Sequence, residues 1–95
     1  MAACNGMTEA KFRSIAKKAV ADSWNADKKL VANFGTITDR KVYIVWQCKA
    51  IQNLKALLGV NVEGDGMYYE FTWNDDEAEG YLDVYKKQKN TVVSS

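Results

Sequence analysis

Ninety-five residues with 47% hydrophobic content amount to one globular domain, because separate cores of under about 50 residues each are rarely stable alone. A net charge of +1 removes the simplest electrostatic case for a nucleic-acid binder. The absence of histidine excludes histidine triads, histidine-ligated zinc and histidine pH switching.

Met1 to Met7 reads as a flexible leader. It lacks the basic start and apolar run of a secretory signal, and no stretch of the chain approaches the roughly 18 apolar residues of a membrane helix. The expectation is a soluble, intracellular protein. Thr8 suits a helix N-cap, with Glu9 in the first turn where a negative charge favours the helix dipole. Phe12, Ile15, Ala16, Ala19, Val20 and Trp24 then recur at i, i+3, i+4 spacing, which predicts an amphipathic helix of about 17 residues. Asn25 begins its exit. Leu30, Val31 and Phe34 form either a short helical turn or a loop pinned to the core. Gly35 and Thr38-Asp39 punctuate the approach to the next element.

From Lys41 to Ala50 the apolar pattern alternates, predicting a strand. It places Val42, Ile44, Trp46, Cys48 and Ala50 on one face and Tyr43, Val45, Gln47 and Lys49 on the other. Gln52-Asn53 is the expected turn and Lys55 to Val62 the returning strand. Ile51, Leu54, Leu57 and Leu58 also fit a helical stripe. The strand is preferred because so few residues make a short helix between strands. Asp65-Gly66 suits a tight hairpin with positive φ. Met67 to Trp73 alternates again, with Met67, Tyr69, Phe71 and Trp73 opposed to Tyr68, Glu70 and Thr72. Asn74 to Gly80 is an acidic loop, and Tyr81 to Lys87 reads as a fourth strand. The last residues, 91–95, read as a flexible tail around a single domain over 8–90.

The economical assembly is α+β: an N-terminal amphipathic helix packed on a four-stranded antiparallel β-meander. The helix then covers Ile44, Trp46, Phe71, Trp73, Leu82 and Val84, so that all three tryptophans point into the core. Tyr43, Tyr68, Tyr81 and Tyr85 point to the opposite face.

Three segments, VYIVWQCKAIQNLKALL (42–58), DGMYYEFTWN (65–74) and YLDVYKKQKN (81–90), resemble a family of small uncharacterised proteins encoded by phages and prophages of Gram-positive bacteria. The segments stand in the family's order and spacing. Asp75 departs from a pattern that usually has glycine there, and the 75–79 loop is unusually acidic. The resemblance implies a phage or prophage setting in the cytoplasm of the host cell, and supplies no activity, cofactor or site residue.

The outer, tyrosine-bearing face is the leading candidate site, with Tyr43, Gln47, Lys49, Tyr68, Glu70, Tyr81, Asp83 and Tyr85. Tyrosine offers a large apolar body with a polar tip and is enriched at interfaces, although it also favours strands without further purpose. The natural partners of such a face are a host protein or a second copy of the chain. Nucleic acid is the alternative, stacked on the tyrosines or held by Lys11, Arg13, Lys17, Lys18, Lys28 and Lys29. Against the first mode, Glu70 and Asp83 share that face. Asp75, Asp76, Glu77 and Glu79 gather oxygens that a hard cation would accept, but without EF-hand spacing. A solvated loop tip accounts for them as well. Cys4 and Cys48 follow no metal-ligand spacing. Cys48 reads as a buried, reduced strand residue, and its pairing with Cys4 is disfavoured in a reducing compartment. No spacing brings two catalytic groups into a defined pair. The reading is a non-catalytic, cofactor-free protein that acts on a host protein or defence system by contact.

Overall fold

The Thr8 hydroxyl oxygen accepts from the Lys11 backbone N–H at 3.0 Å, satisfying one of the donors that every helix start leaves open. That cap begins α1 (Glu9–Ala26) in a computed structural model that describes residues 7–50, 53–89 and 91–94. The stripe read from the sequence becomes the buried face: Phe12, Ala16, Val20, Ala21 and Trp24 are buried, and Ile15 and Ala19 pack beside them. Met7 also packs against the core. The rest of the expected leader, residues 1–6, lies outside the described residues.

Asp27 ends one helix and starts another. Its N–H donates to Trp24 O at 3.0 Å, while its Oδ1 accepts from the N–H groups of Lys29 and Leu30. The short helix α2 (Lys28–Phe34) follows and sinks Leu30 into the core. It stops at Gly35, whose φ of 84° only glycine adopts without strain. Of the two readings for this stretch, the helical one is correct. Two side chains of α1 reach back to fix the chain after α2. Trp24 Nε1 donates to Gly35 O at 2.9 Å. Asn25 donates to Ile37 O and accepts from Ile37 N, both at 2.8 Å. A 3-10 turn (Asp39–Lys41) then leads into the sheet.

The sheet is an antiparallel meander in the order β1-β2-β3-β4, with β1 (Val42–Ala50), β2 (Asn53–Val60), β3 (Met67–Asn74) and β4 (Glu79–Lys86). Residues 53–60 are strand, not helix, which settles the ambiguity there. The strand begins earlier than Lys55 because Asn53 already pairs with Ala50. Ile51 and Gln52, on which the expected turn and part of the helical stripe fell, lie outside the described residues. The β2–β3 connection is not a tight Asp65-Gly66 turn. It spans residues 61–66, and its positive-φ residues are Gly64 and Gly66, while Asp65 instead accepts from Met67 N–H at 3.4 Å. The acidic connection is shorter than expected, since β4 starts at Glu79. Asp75 within it is buried.

One backbone feature reorders the faces. Ile44 pairs with Leu58 and Trp46 with Leu57, leaving Val45 as an extra residue. This β-bulge shifts the alternation of β1 by one. Before it, Val42 and Ile44 face α1 as expected. After it, Gln47 pairs with the fully buried Ala56, and Lys49 with the buried Leu54. Gln47 and Lys49 therefore belong to the helix-bearing face, and Gln47 Nε2 donates to Glu9 Oε1 of α1 at 3.4 Å. Trp46 and Cys48 take the opposite, open face. The expectation of three buried tryptophans fails there: Trp24 is fully buried, Trp73 half-buried and Trp46 exposed. Cys48 is an exposed free thiol. Its pairing with Cys4 falls outside the described residues. The core closes around Phe12 and Phe71, whose ring centroids stand 5.7 Å apart, with Tyr69, Leu58 and Val20 fully buried beside them. α1 lies over β1, β2 and β3. On β4, Leu82 is half-buried and Val84 is 51% exposed, so Val84 is not the core residue the alternation suggested.

Candidate functional site

Side chains directly opposed in an antiparallel ladder share a face, so the register spells out the open side of the sheet. Tyr68 opposes Tyr85, and Tyr43 opposes Gly59. Behind that row, Trp46 opposes Leu57, Leu57 opposes Glu70, and Glu70 opposes Asp83. The next row runs from Cys48 through Lys55 and Thr72 to Tyr81. Six of the eight expected site residues, Tyr43, Tyr68, Glu70, Tyr81, Asp83 and Tyr85, are brought together on this face. Gln47 and Lys49 are not, and Trp46 stands where they were expected. No one-sequence signal marked the bulge that makes the exchange.

The aromatic content is accessible. Tyr43, Trp46, Tyr68, Tyr81 and Tyr85 are each between 44% and 50% exposed. Tyr43 is held by a local device: its ring tip lies over Gly59, where an added Cβ would stand 2.7 Å from Cζ and from the hydroxyl oxygen. The ring thus covers a position that carries no side chain of its own. Tyr81 donates to Glu77 Oε1 at 3.2 Å, which orients it at one corner. Lys55 Nζ and Glu70 Oε2 form a 3.7 Å pair across β2 and β3, an exposed contact of at most about 1 kcal/mol. Among the described residues Asp83 and Glu79 have no ion-pair partner on this face. Its polar character is therefore acidic around an aromatic and aliphatic centre.

The basic helix offers nucleic acid less than its sequence suggested. Arg13 pairs with Glu9 at 3.4 Å and Lys18 with Asp22 at 3.2 Å, both one helical turn apart. Among the described residues, no three His, Cys, Asp or Glu side chains are grouped as a metal site. No helix is long and apolar enough to cross a membrane.

On the helix side, a pocket of about 450 Å³ opens between α2 and the β2–β3 connection, lined by Asp27, Lys29, Leu30, Phe34, Asp65, Met67 and Lys86 among others. Buried nearby are Asp65 Oδ2 and the Tyr69 hydroxyl, neither with a hydrogen-bond partner. Burial, then the charges of Asp65 and Asp27, push the Tyr69 hydroxyl up to about 12. The two carboxylates and two lysines around the opening balance in charge. A turn signal was all that Asp65 and Gly66 carried, so this pocket was not legible in the residue pattern.

The model of a family of unknown function, DUF6275, matches residues 13–95, from the first half of α1 through the sheet to the end of the chain. No curated protein and no solved structure matches.

Proposed function

We propose that the chain, which belongs to the DUF6275 family, is a non-catalytic protein-binding module whose open sheet face docks a partner protein. The single observation that carries this reading is the continuous exposed aromatic surface of Tyr43, Trp46, Tyr68 and Tyr85 on a face that neither helix covers. Aromatic side chains supply most of the anchoring energy at protein interfaces, with about 2 kcal/mol or more for a central one. The surrounding chemistry defines the complement. Asp83 and Glu79 at the rim ask for lysine or arginine on the partner, opposite an apolar centre that receives the rings.

The resemblance of residues 42–58, 65–74 and 81–90 to phage and prophage proteins supports a setting in the cytoplasm of a Gram-positive host. A host enzyme or a component of a defence system is the class of partner that fits such a setting. Contact, not chemistry, is the mode of action.

The test is capture from host lysate with the full chain as bait, compared with a Tyr43→Ser/Tyr68→Ser/Tyr85→Ser variant. The expected result is a host protein retained by the first and lost by the second, with little change in thermal transition. Equal retention by both would refute the reading. So would unfolding of the variant, because it would make these rings structural.

A further inference from the structure

β4 is an edge strand that lacks a bulge. It pairs with β3 in one unbroken register from Met67–Lys86 to Asn74–Glu79, whereas the opposite edge strand, β1, is interrupted by the Val45 bulge. Bulges, short lengths and charged side chains are how sheet edges avoid association; β4 carries charges but has neither a bulge nor a short length. Its hydrogen-bonding polarity follows from one contact: Lys87 N–H donates to Gly66 O at 2.7 Å. Along an antiparallel strand these groups alternate between the two edges. Tyr85, Asp83 and Tyr81 therefore turn their N–H and C=O toward β3, and Leu82, Val84 and Lys86 turn theirs outward. The exposed Val84 side chain sits at the middle of that open row.

Charge along β4 is ordered by sign. Glu79 lies at its start and Asp83 at its middle, while Lys86, Lys87 and Lys89 lie at and beyond its end. A strand with this order is complementary to itself when reversed. We propose that β4 pairs with β4 of a second copy, antiparallel about a two-fold axis at Val84, joining two four-stranded sheets into one continuous sheet.

The register follows from the side chains. An axis at Asp83 sets two carboxylates directly opposite each other, which is repulsive. An axis at Leu82 opposes Glu79 to Tyr85 and Tyr81 to Asp83, so it pairs no opposite charges within the strand. The axis at Val84 pairs residues 82–86 within the strand, opposing Val84 to its own copy and Leu82 to Lys86 through their outward N–H and C=O groups, and it brings Glu79 toward Lys89 just beyond the strand's end at Lys86. Charge thus disfavours the axis at Asp83, and Glu79 against Lys89 favours the axis at Val84 over the one at Leu82. With the axis normal to the sheet, both open aromatic faces lie on the same side, so a dimer offers a doubled surface. The proposal does not depend on what that surface binds.

Sedimentation equilibrium of the full chain tests it, with a mass twice the 10.7 kDa of one chain expected. Val84→Pro removes an outward N–H and costs β3 no bond, so a folded monomer is expected. Should that variant fail to fold, Val84→Lys sets like charges on the axis and is expected to give the same monomer. Glu79→Lys or Lys89→Glu acts at two symmetric contacts and is expected to weaken the dimer about tenfold. The combined exchange Glu79→Lys/Lys89→Glu should restore it. A wild-type monomer at the highest soluble concentration would overturn the proposal. A dimer unmoved by Val84→Lys and by the charge variants, yet broken by Tyr43→Ser/Tyr68→Ser, would overturn it in favour of face-to-face pairing.

Discussion

Gly80→Ala and Gly59→Ala make a matched pair, because each glycine lies under an aromatic ring but on opposite faces of the sheet. A Cβ at position 80 would stand 2.6 Å from Cζ and 3.0 Å from Cε1 of Phe71, and 3.3 Å from Cε3 of Trp73. Phe71 is buried and wedged against Phe12, so its ring cannot give way without moving α1. Overpacking of this kind costs about 1–3 kcal/mol. The reduced freedom of the unfolded chain returns about 0.4–1 kcal/mol. The net expectation for Gly80→Ala is a loss of about 1–2 kcal/mol, or roughly 4–16 °C in melting temperature for a domain of this size. At position 59 the obstructing atoms are the tip of Tyr43, 2.7 Å away but half-exposed. That ring can swing into solvent, so Gly59→Ala is expected to stay within about 0.5 kcal/mol of wild type. Urea unfolding followed by tryptophan fluorescence and far-UV circular dichroism measures both. A neutral Gly80→Ala, or a Gly59→Ala as costly as Gly80→Ala, would refute the assignment of the two faces. Gly59→Ala should also weaken partner capture, because it displaces Tyr43.

Other consequences are as direct. Tyr69 has a folded pKa of about 12 against an ordinary 10.0. Stability tied to its neutral form is complete below pH 10 and is lost as pH rises from 10 through 12, by on the order of 2 kcal/mol. Tyr69→Phe should match wild type near neutrality and lose less stability across that window, and parallel alkaline melting curves would contradict this. Asn25→Ala strips both hydrogen bonds from the Ile37 backbone and should cost about 1–3 kcal/mol, with faster amide exchange at Ile37. A loss under about 0.5 kcal/mol would show those groups satisfied otherwise. In a Cys4→Ser background, Cys48 should react with a thiol reagent in the native protein at the rate of a free thiol, since it is exposed. Reaction only on unfolding would return Cys48 to the core.

The helix and the sheet order were legible because their signals are periodic and local: a cap at Thr8, a stripe from Phe12 to Trp24, alternation from Met67 to Trp73. The strand character of residues 53–60 was legible too, though only against a competing leucine stripe. What was lost lies beyond any period. A bulge is one residue inserted into a register, and in IVWQCK the apolar run Ile44-Val45-Trp46 fits either face, so the pattern does not show whether Val45 is paired. Half of β1 was therefore assigned to the wrong face, taking Trp46 and Cys48 inward and Gln47 and Lys49 outward. Val84 misled for another reason. Alternation tells which side a residue takes, not whether α1 extends far enough to cover it. The six expected residues whose sheet face the alternation predicted lie on β3, on β4, or on β1 before the bulge.

The joint around Trp24 has a mechanical consequence. Its carbonyl takes the N–H of Asp27 and its indole nitrogen donates to Gly35, so α2 is clasped at both ends to one residue of α1. A flap needs a free end or a hinge, and α2 has neither. The far wall of the pocket beneath it is the β2–β3 connection, where Gly64 lines the opening and Gly66 follows, both at positive φ. Occupancy of that pocket would then be felt first at the base of the β2–β3 ribbon, two residues from Tyr68 and the open face.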